Sequence, residues 1–150
     1  MRLCGRRILV ASREAQVLQV EIERCVRGLG PALLAEPGVG PISAGFLLCA
    51  WSHKGRLRSE AAFARLAGCA PIPASSGKVT RHRLDRGGDR KLNRALHTIV
   101  LARRRSHEAT IVYIERRLQE GKSSREAVRC LKRYVARHLF RLLEGNALLT

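Results

Sequence analysis

The chain has 150 residues, and its 29 Lys and Arg against 12 Asp and Glu give a formal net charge of +17 at pH 7. That length suits one domain with a real core, and a hydrophobic fraction of 45 % excludes intrinsic disorder. A chain so basic repels itself and points to a polyanionic partner before any motif is read.

Taken in chain order, the sequence reads as helix nearly throughout, an all-α fold. Residues Ser12 to Gly28 set Ala15, Val17, Leu18, Ile22, Cys25, Val26 and Leu29 opposite Glu14, Glu21, Glu23, Arg24 and Arg27. The spacing predicts an amphipathic, coiled-coil-like helix, ended by Gly28 and Gly30-Pro31. A short helix Pro31–Glu36, the turn Pro37-Gly38-Val39-Gly40-Pro41 and a helix Ile42–Trp51 then form a helix-hairpin-helix pattern. Ser59 caps a helix Glu60–Ala67 that Gly68 stops. The run Pro71-Ile72-Pro73-Ala74-Ser75-Ser76-Gly77 makes Cys69–Leu84 a loop with room for one short hairpin. Helix resumes near Gly88 and runs to about Arg105, and another spans Glu108–Glu120. A Ser123/Glu126 capping box opens the last helix. There Val128, Leu131, Val135, Leu139 and Leu142 form one apolar stripe closed by Gly145. The expected divisions are a helix over 1–29, a compact helical domain over 30–146 and a tail over 147–150.

Several classes drop out. No apolar run approaches the ~18 residues of a membrane span, and Ile8–Ala11 is too short for a signal peptide. No membrane partner is expected. The five cysteines are scattered and include no Cys-x-x-Cys pair, which argues against a disulfide framework or zinc finger and for a reducing cytoplasm. Six aromatic residues do not make a base-stacking platform.

Three stretches carry chemistry. In the first, Gly38, Val39 and Gly40 let the chain turn tightly into a helix N-terminus, whose N–H groups suit a backbone phosphate. An ordinary turn needing glycine for shape is the competing reading. The second runs from Ser76 to Arg105, with ten basic residues against Asp85 and Asp89. Lys78, Arg81, Arg83, Arg86, Arg90, Lys91 and Arg94 are its candidate nucleic-acid contacts. Arg90, Arg94 and His97 share a helix face, opposite Leu92, Leu96, Ile99 and Val100. Arginine suits bidentate phosphate binding, and the two aspartates are expected to pair with these arginines. The third is Ser75-Ser76-Gly77-Lys78, either a phosphodiester nucleophile or a polar turn, and the residue types alone favour the turn. A phosphate loop is excluded, because Ile72 and Arg116 stand where it needs glycine. Ser76, His82 or His97, and Asp85 lack the elbow of a hydrolase triad. His53 beside Cys49 lacks further metal ligands, and His138 beside the last apolar stripe is expected to pack. Two aspartates cannot hold two metal ions, so no metal site is expected.

The ordered set Leu33–Pro41, Phe63–Gly68, Pro71–Gly77 and Arg86–Leu96 resembles the C-terminal domain of IS110/IS116-type insertion-sequence transposases, the bridge-RNA-guided recombinases. The resemblance covers about Gly30 to Gly145. It implies DNA transposition by site-specific recombination, with DNA and a structured guide RNA as partners and a homo-oligomer as the working form. It implies that Ser76, with Ser75 as the alternative, attacks DNA to form a 5′-phosphoserine link. The family's RuvC-like domain, with its acidic metal ligands, has no counterpart in the sequence, and Met1–Ser12 match nothing. The expectation is therefore a truncated transposase that binds nucleic acid, is inactive alone, and needs no cofactor of its own; Mg²⁺ would enter only with the RuvC-like domain. The competing reading is a non-catalytic nucleic-acid-binding module, or a helical assembly module working through Ser12–Gly28.

Overall fold

The computed structural model describes residues 2–73, 82–83, 85 and 87–145. Seven helices dominate the described residues, so the fold is all-α.

Helix α1 (Arg2–Leu29) starts well before Ser12. Its first turns contain no proline, and the one glycine there, Gly5, costs only about 1 kcal/mol relative to alanine. Of the expected apolar stripe only Val26 is buried, while Val17, Leu18, Ile22 and Leu29 stay exposed. The reason is reach. The helix packs on α2 (Pro31–Ala35) and α3 (Pro41–Trp51), with Ile22 close over Gly45. Residues 4–22 of α1 are exposed throughout.

Helix α3 carries no charged residue and occupies the centre, against α1, α2, α5 (Arg90–Ser106) and α7 (Ser124–Gly145). It buries Ala44, Leu47, Ala50 and Trp51. The Trp51 indole N–H donates to Glu144 Oε1 at 2.7 Å, so its polar tip is satisfied at the core edge. Helix α4 (Glu60–Leu66) is capped as expected, Ser59 Oγ accepting from the Ala62 N–H at 3.2 Å. It lies on α7, where Phe63 stacks on Phe140 with ring centroids 5.5 Å apart.

The loop after α4 does contain a hairpin: β1 (Ile72–Pro73) pairs antiparallel with β2 (His82–Arg83), Ile72 opposite Arg83. Two paired residues do not change the fold class. Ser75, Ser76, Lys78, Arg81 and Arg86 lie outside the described residues, as do residues 146–150.

Among the described residues the expected aspartate–arginine pairing is not found. Asp89 is the N-cap of α5, its Oδ1 accepting from the Lys91 and Leu92 N–H groups at 2.8 and 3.0 Å. Asp85 Oδ1 accepts from the Gly87 N–H at 2.8 Å. Neither forms an ion pair with a described arginine. A carboxylate at a helix N-terminus satisfies orphan N–H groups and meets the positive end of the dipole, whereas an exposed ion pair is worth ~0–1 kcal/mol.

Helix α6 (Glu108–Gln119) leads to α7 through the expected capping box. The Ser123 N–H donates to Glu126 Oε2 at 2.9 Å, and the Glu126 N–H donates to Ser123 Oγ at 3.4 Å. Helix α7 meets α2, α3, α4, α5 and α6, so its buried face is wider than the expected stripe. Ala136, Phe140 and Leu143 are buried beside Val128, Leu131, Val135 and Leu139, while Leu142 is only half-buried.

Two basic side chains hold Glu36. Arg103 is buried; its Nε donates to the Pro37 carbonyl at 2.7 Å and its Nη2 lies 2.9 Å from Glu36 Oε2. His138, expected to pack beside the apolar stripe, instead places Nε2 2.9 Å from Glu36 Oε1. Together they fix the start of the Pro37–Gly40 turn.

Candidate nucleic-acid interface

Helix α5 separates its residues by face as its periodicity requires. Leu92, Leu96, Ile99 and Val100 are buried, and Arg90, Arg94 and His97 are exposed. The exposed face forms one wall of a groove of about 1070 Å³. Arg90, Arg94, His97 and Arg104 come from α5, facing Arg125, Arg129 and Lys132 of α7. Arg104 Nη1 spans the groove to Ser124 Oγ at 3.3 Å.

A second groove, about 660 Å³, lies on the other side of α7. Arg83 of the hairpin, Arg117 of α6, and Lys122 face Arg129, Lys132 and Arg133 of α7. Gly68, Asp85, Arg129 and Lys132 line both grooves, so the two meet there. Cys69, Ala70, Pro71, Arg83 and Asp85, the ends of the chain entering and leaving the Ser75–Ser76 loop, line the same floor. Among described residues the two linings hold ten Lys and Arg against Asp85 and Glu126. Both acids accept N–H donors from their own turns, and Arg117 pairs with Glu120 at 2.6 Å, so the linings keep a large excess of cations.

The junction is tightly built. Gly68 has φ +62°, and a side chain at Gly88 would collide with the Gly68 backbone, so both positions require glycine. Lys132 is buried, and its Nζ donates to Asn93 Oδ1 at 2.7 Å. The Asn93 amide in turn donates to the Ala67 carbonyl. Burial lowers the Lys132 pKa, partly opposed by Cys69, whose thiol burial raises. Cys69 therefore stays a thiol beside a lysine that water barely reaches. No three His, Cys, Asp or Glu gather to hold a metal ion among the described residues.

The structure brings Arg83, Arg90 and Arg94 into this groove system; Lys91 is exposed outside both linings. The Gly38–Gly40 turn lies elsewhere. A Cβ on Gly38 would stand 2.8 Å from the Ile99 carbonyl and 3.2 Å from Ala102 Cβ. At about 100° per residue, those positions lie on the opposite side of α5 from Arg90, Arg94 and Leu101. Val39 is buried, and its N–H donates to the Glu36 carbonyl at 3.1 Å. Gly38 and Val39 thus close the turn onto α5. The sequence reading missed Arg125, Arg129 and Arg133. Their signal was present as a basic stripe at helical spacing beside the apolar one on α7.

The sequence model described as "Transposase IS116/IS110/IS902 family" matches residues 31–114. The "Insertion element IS110 uncharacterized 43.6 kDa protein" of Streptomyces coelicolor is 33 % identical over 119 residues, 79 % of this chain and 29 % of that protein. The "Insertion element IS900 uncharacterized 42 kDa protein" of Mycobacterium paratuberculosis is 32 % identical over 117 residues, 77 % of this chain and 29 % of that protein. The chain thus spans under a third of each relative. The family match runs from the Pro31 helix through α5 into α6, the segment that builds the core and one groove wall, and on this ground the chain belongs to the IS116/IS110/IS902 family of transposases.

Proposed function

We propose that this chain is the nucleic-acid-binding part of a transposase and carries the serine nucleophile of DNA recombination. The observation that carries the reading is the paired basic groove, whose floor contains both ends of the Ser75–Ser76 loop. The substrate is DNA, with a structured guide RNA as a further polyanion the same charge would attract. In the chemical step, Ser76 Oγ (Ser75 as the alternative) bonds to the phosphorus and the P–O3′ bond breaks. The 3′ oxygen leaves as a hydroxyl with the proton, and the 5′ phosphate stays on serine. The arginines bind the phosphodiester and oppose the charge that grows on its oxygens. The described residues offer no carboxylate cluster, so activity requires acids from another domain and the chain alone binds without cutting.

Two measurements test this. DNA affinity should fall roughly 10³–10⁵-fold between 50 and 200 mM salt if six to ten phosphates are neutralised, and Arg90→Ala and Arg94→Ala should each lower the salt slope by about 0.9. A slope near zero rules out the binding role. With a RuvC-like domain of the family added in trans, a covalent DNA adduct should form and vanish in Ser76→Ala. An adduct that persists in both Ser76→Ala and Ser75→Ala rules out the nucleophile.

A second reading concerns assembly. Val10, Val17, Leu18 and Val20 are exposed on α1, and a second copy of the chain is the partner we propose for them, giving the homo-oligomer.

A further inference from the structure

The two grooves are divided by a single helix, and that division narrows the substrate. On the α5 side, α7 contributes Ser124, Arg125 and Val128; on the hairpin side it contributes Glu126, Cys130, Arg133 and Tyr134, the Glu126 carboxylate being held by Ser123. Of α7 only Arg129 and Lys132 face both. The N-terminal half of α7 is therefore a septum. Each channel also has a basic outer wall of its own, Arg90, Arg94 and Arg104 on one side and Arg83, Arg117 and Lys122 on the other. One strand needs one basic channel. Two channels, each with cations on its outer wall, match two phosphate backbones held apart.

We propose, building on the nucleic-acid reading above, that the N-terminal half of α7 seats in the major groove of a B-form DNA duplex while the two flanking channels each receive one phosphate backbone. The sizes agree: a helix with side chains is about 10–12 Å across, and the B-form major groove is about 12 Å wide. The deep, narrow major groove of A-form RNA does not admit a helix. The septum carries Arg125, Arg129 and Arg133 on one exposed stripe, and arginine is the side chain best suited to guanine edges. Single strands are disfavoured because Tyr134 is the one aromatic residue in either lining among the described residues.

The test is a fluorescence-anisotropy titration of the full chain at several salt concentrations. Its probes are a 16-bp DNA duplex, the same duplex with one strand made of uncharged methylphosphonates, an RNA duplex and a DNA single strand. With two backbones engaged, neutralising one strand should roughly halve the salt slope. With one engaged, the protein turns to the charged strand and the slope falls by only about a fifth, the change from duplex to single-strand charge density. A fall smaller than about one third overturns the proposal, as does RNA duplex or single strand binding as tightly as native DNA duplex. Arg129→Gln should weaken native-duplex binding about tenfold, and Arg65→Gln, an exposed change of equal charge on α4, should not. Equal effects of the two changes also overturn it. Should no probe bind with a salt slope, the broader nucleic-acid function fails instead, so the two failures are distinct.

Discussion

Single residues separate shape from contact most clearly at Gly38 and Lys132. Gly38 has φ +74° and no room for a Cβ against the Ile99 carbonyl. Gly38→Ala should lower stability by about 1–3 kcal/mol, the cost of a non-glycine residue in the left-handed region. Thermal unfolding reads that loss. DNA affinity measured well below the melting temperature should stay unchanged, because the turn lies across α5 from the groove. Lys132 is lowered from the ordinary lysine value by burial, so between its folded and unfolded pKa values the unfolded chain binds more protons. Stability then rises as pH climbs through that window, which ends near the unfolded lysine value. Denaturant unfolding of wild type against Lys132→Met should show wild type gaining on the variant as pH rises toward the ordinary lysine value of 10.5. A flat difference would mean that burial does not perturb the ammonium. The roles of Gly38 and Lys132 rest on neighbours far along the chain, Ile99 for one and Asn93 for the other, and so were not legible locally.

Helices were legible where their signals are local. The Ser59 cap, the Ser123/Glu126 box and the opening of α6 at Glu108 all depend on residues within one turn, and all fall where the sequence put them. Arginines surround Asp89 in sequence, yet among the described residues its carboxylate caps α5 and pairs with none of them. Asp89→Ala should therefore cost about 0.5–2 kcal/mol and fray the start of α5, carrying Arg90 and Arg94 with it. Amide exchange should rise first at Lys91 and Leu92, and exchange confined to other helices would contradict the capping role. The apolar stripe of α7 was readable, but its width was not, since five neighbouring helices set it.

At the scale of the molecule, the net charge of +17 divides unevenly in use. Arg103 is spent on Glu36 inside the fold, while ten described cations from α5, α6, α7, the hairpin and the loops between them line two connected grooves. The exposed apolar residues of α1 are the other feature that the isolated fold does not use. Deleting residues 2–17 should lower the mass seen by light scattering if α1 joins two copies. It should leave the helical content of the rest intact, because residues 4–17 are exposed. An unchanged mass would remove α1 as the assembly surface.

Composition, helical periodicity and capping signals, together with the ordered motifs, were enough for the all-α fold and the family, because each of these is written over short distances or in the order of the chain. The groove was only half visible. Arg90 and Arg94 announce one wall, yet the facing wall comes from α7, and the floor from Gly68 and Asp85. Which basic residues share a surface, and which, like Arg103, are withdrawn from it, depends on how helices distant in sequence cross. Long-range packing of the core makes that choice, and it placed Gly38 on one side of α5 and the groove on the other.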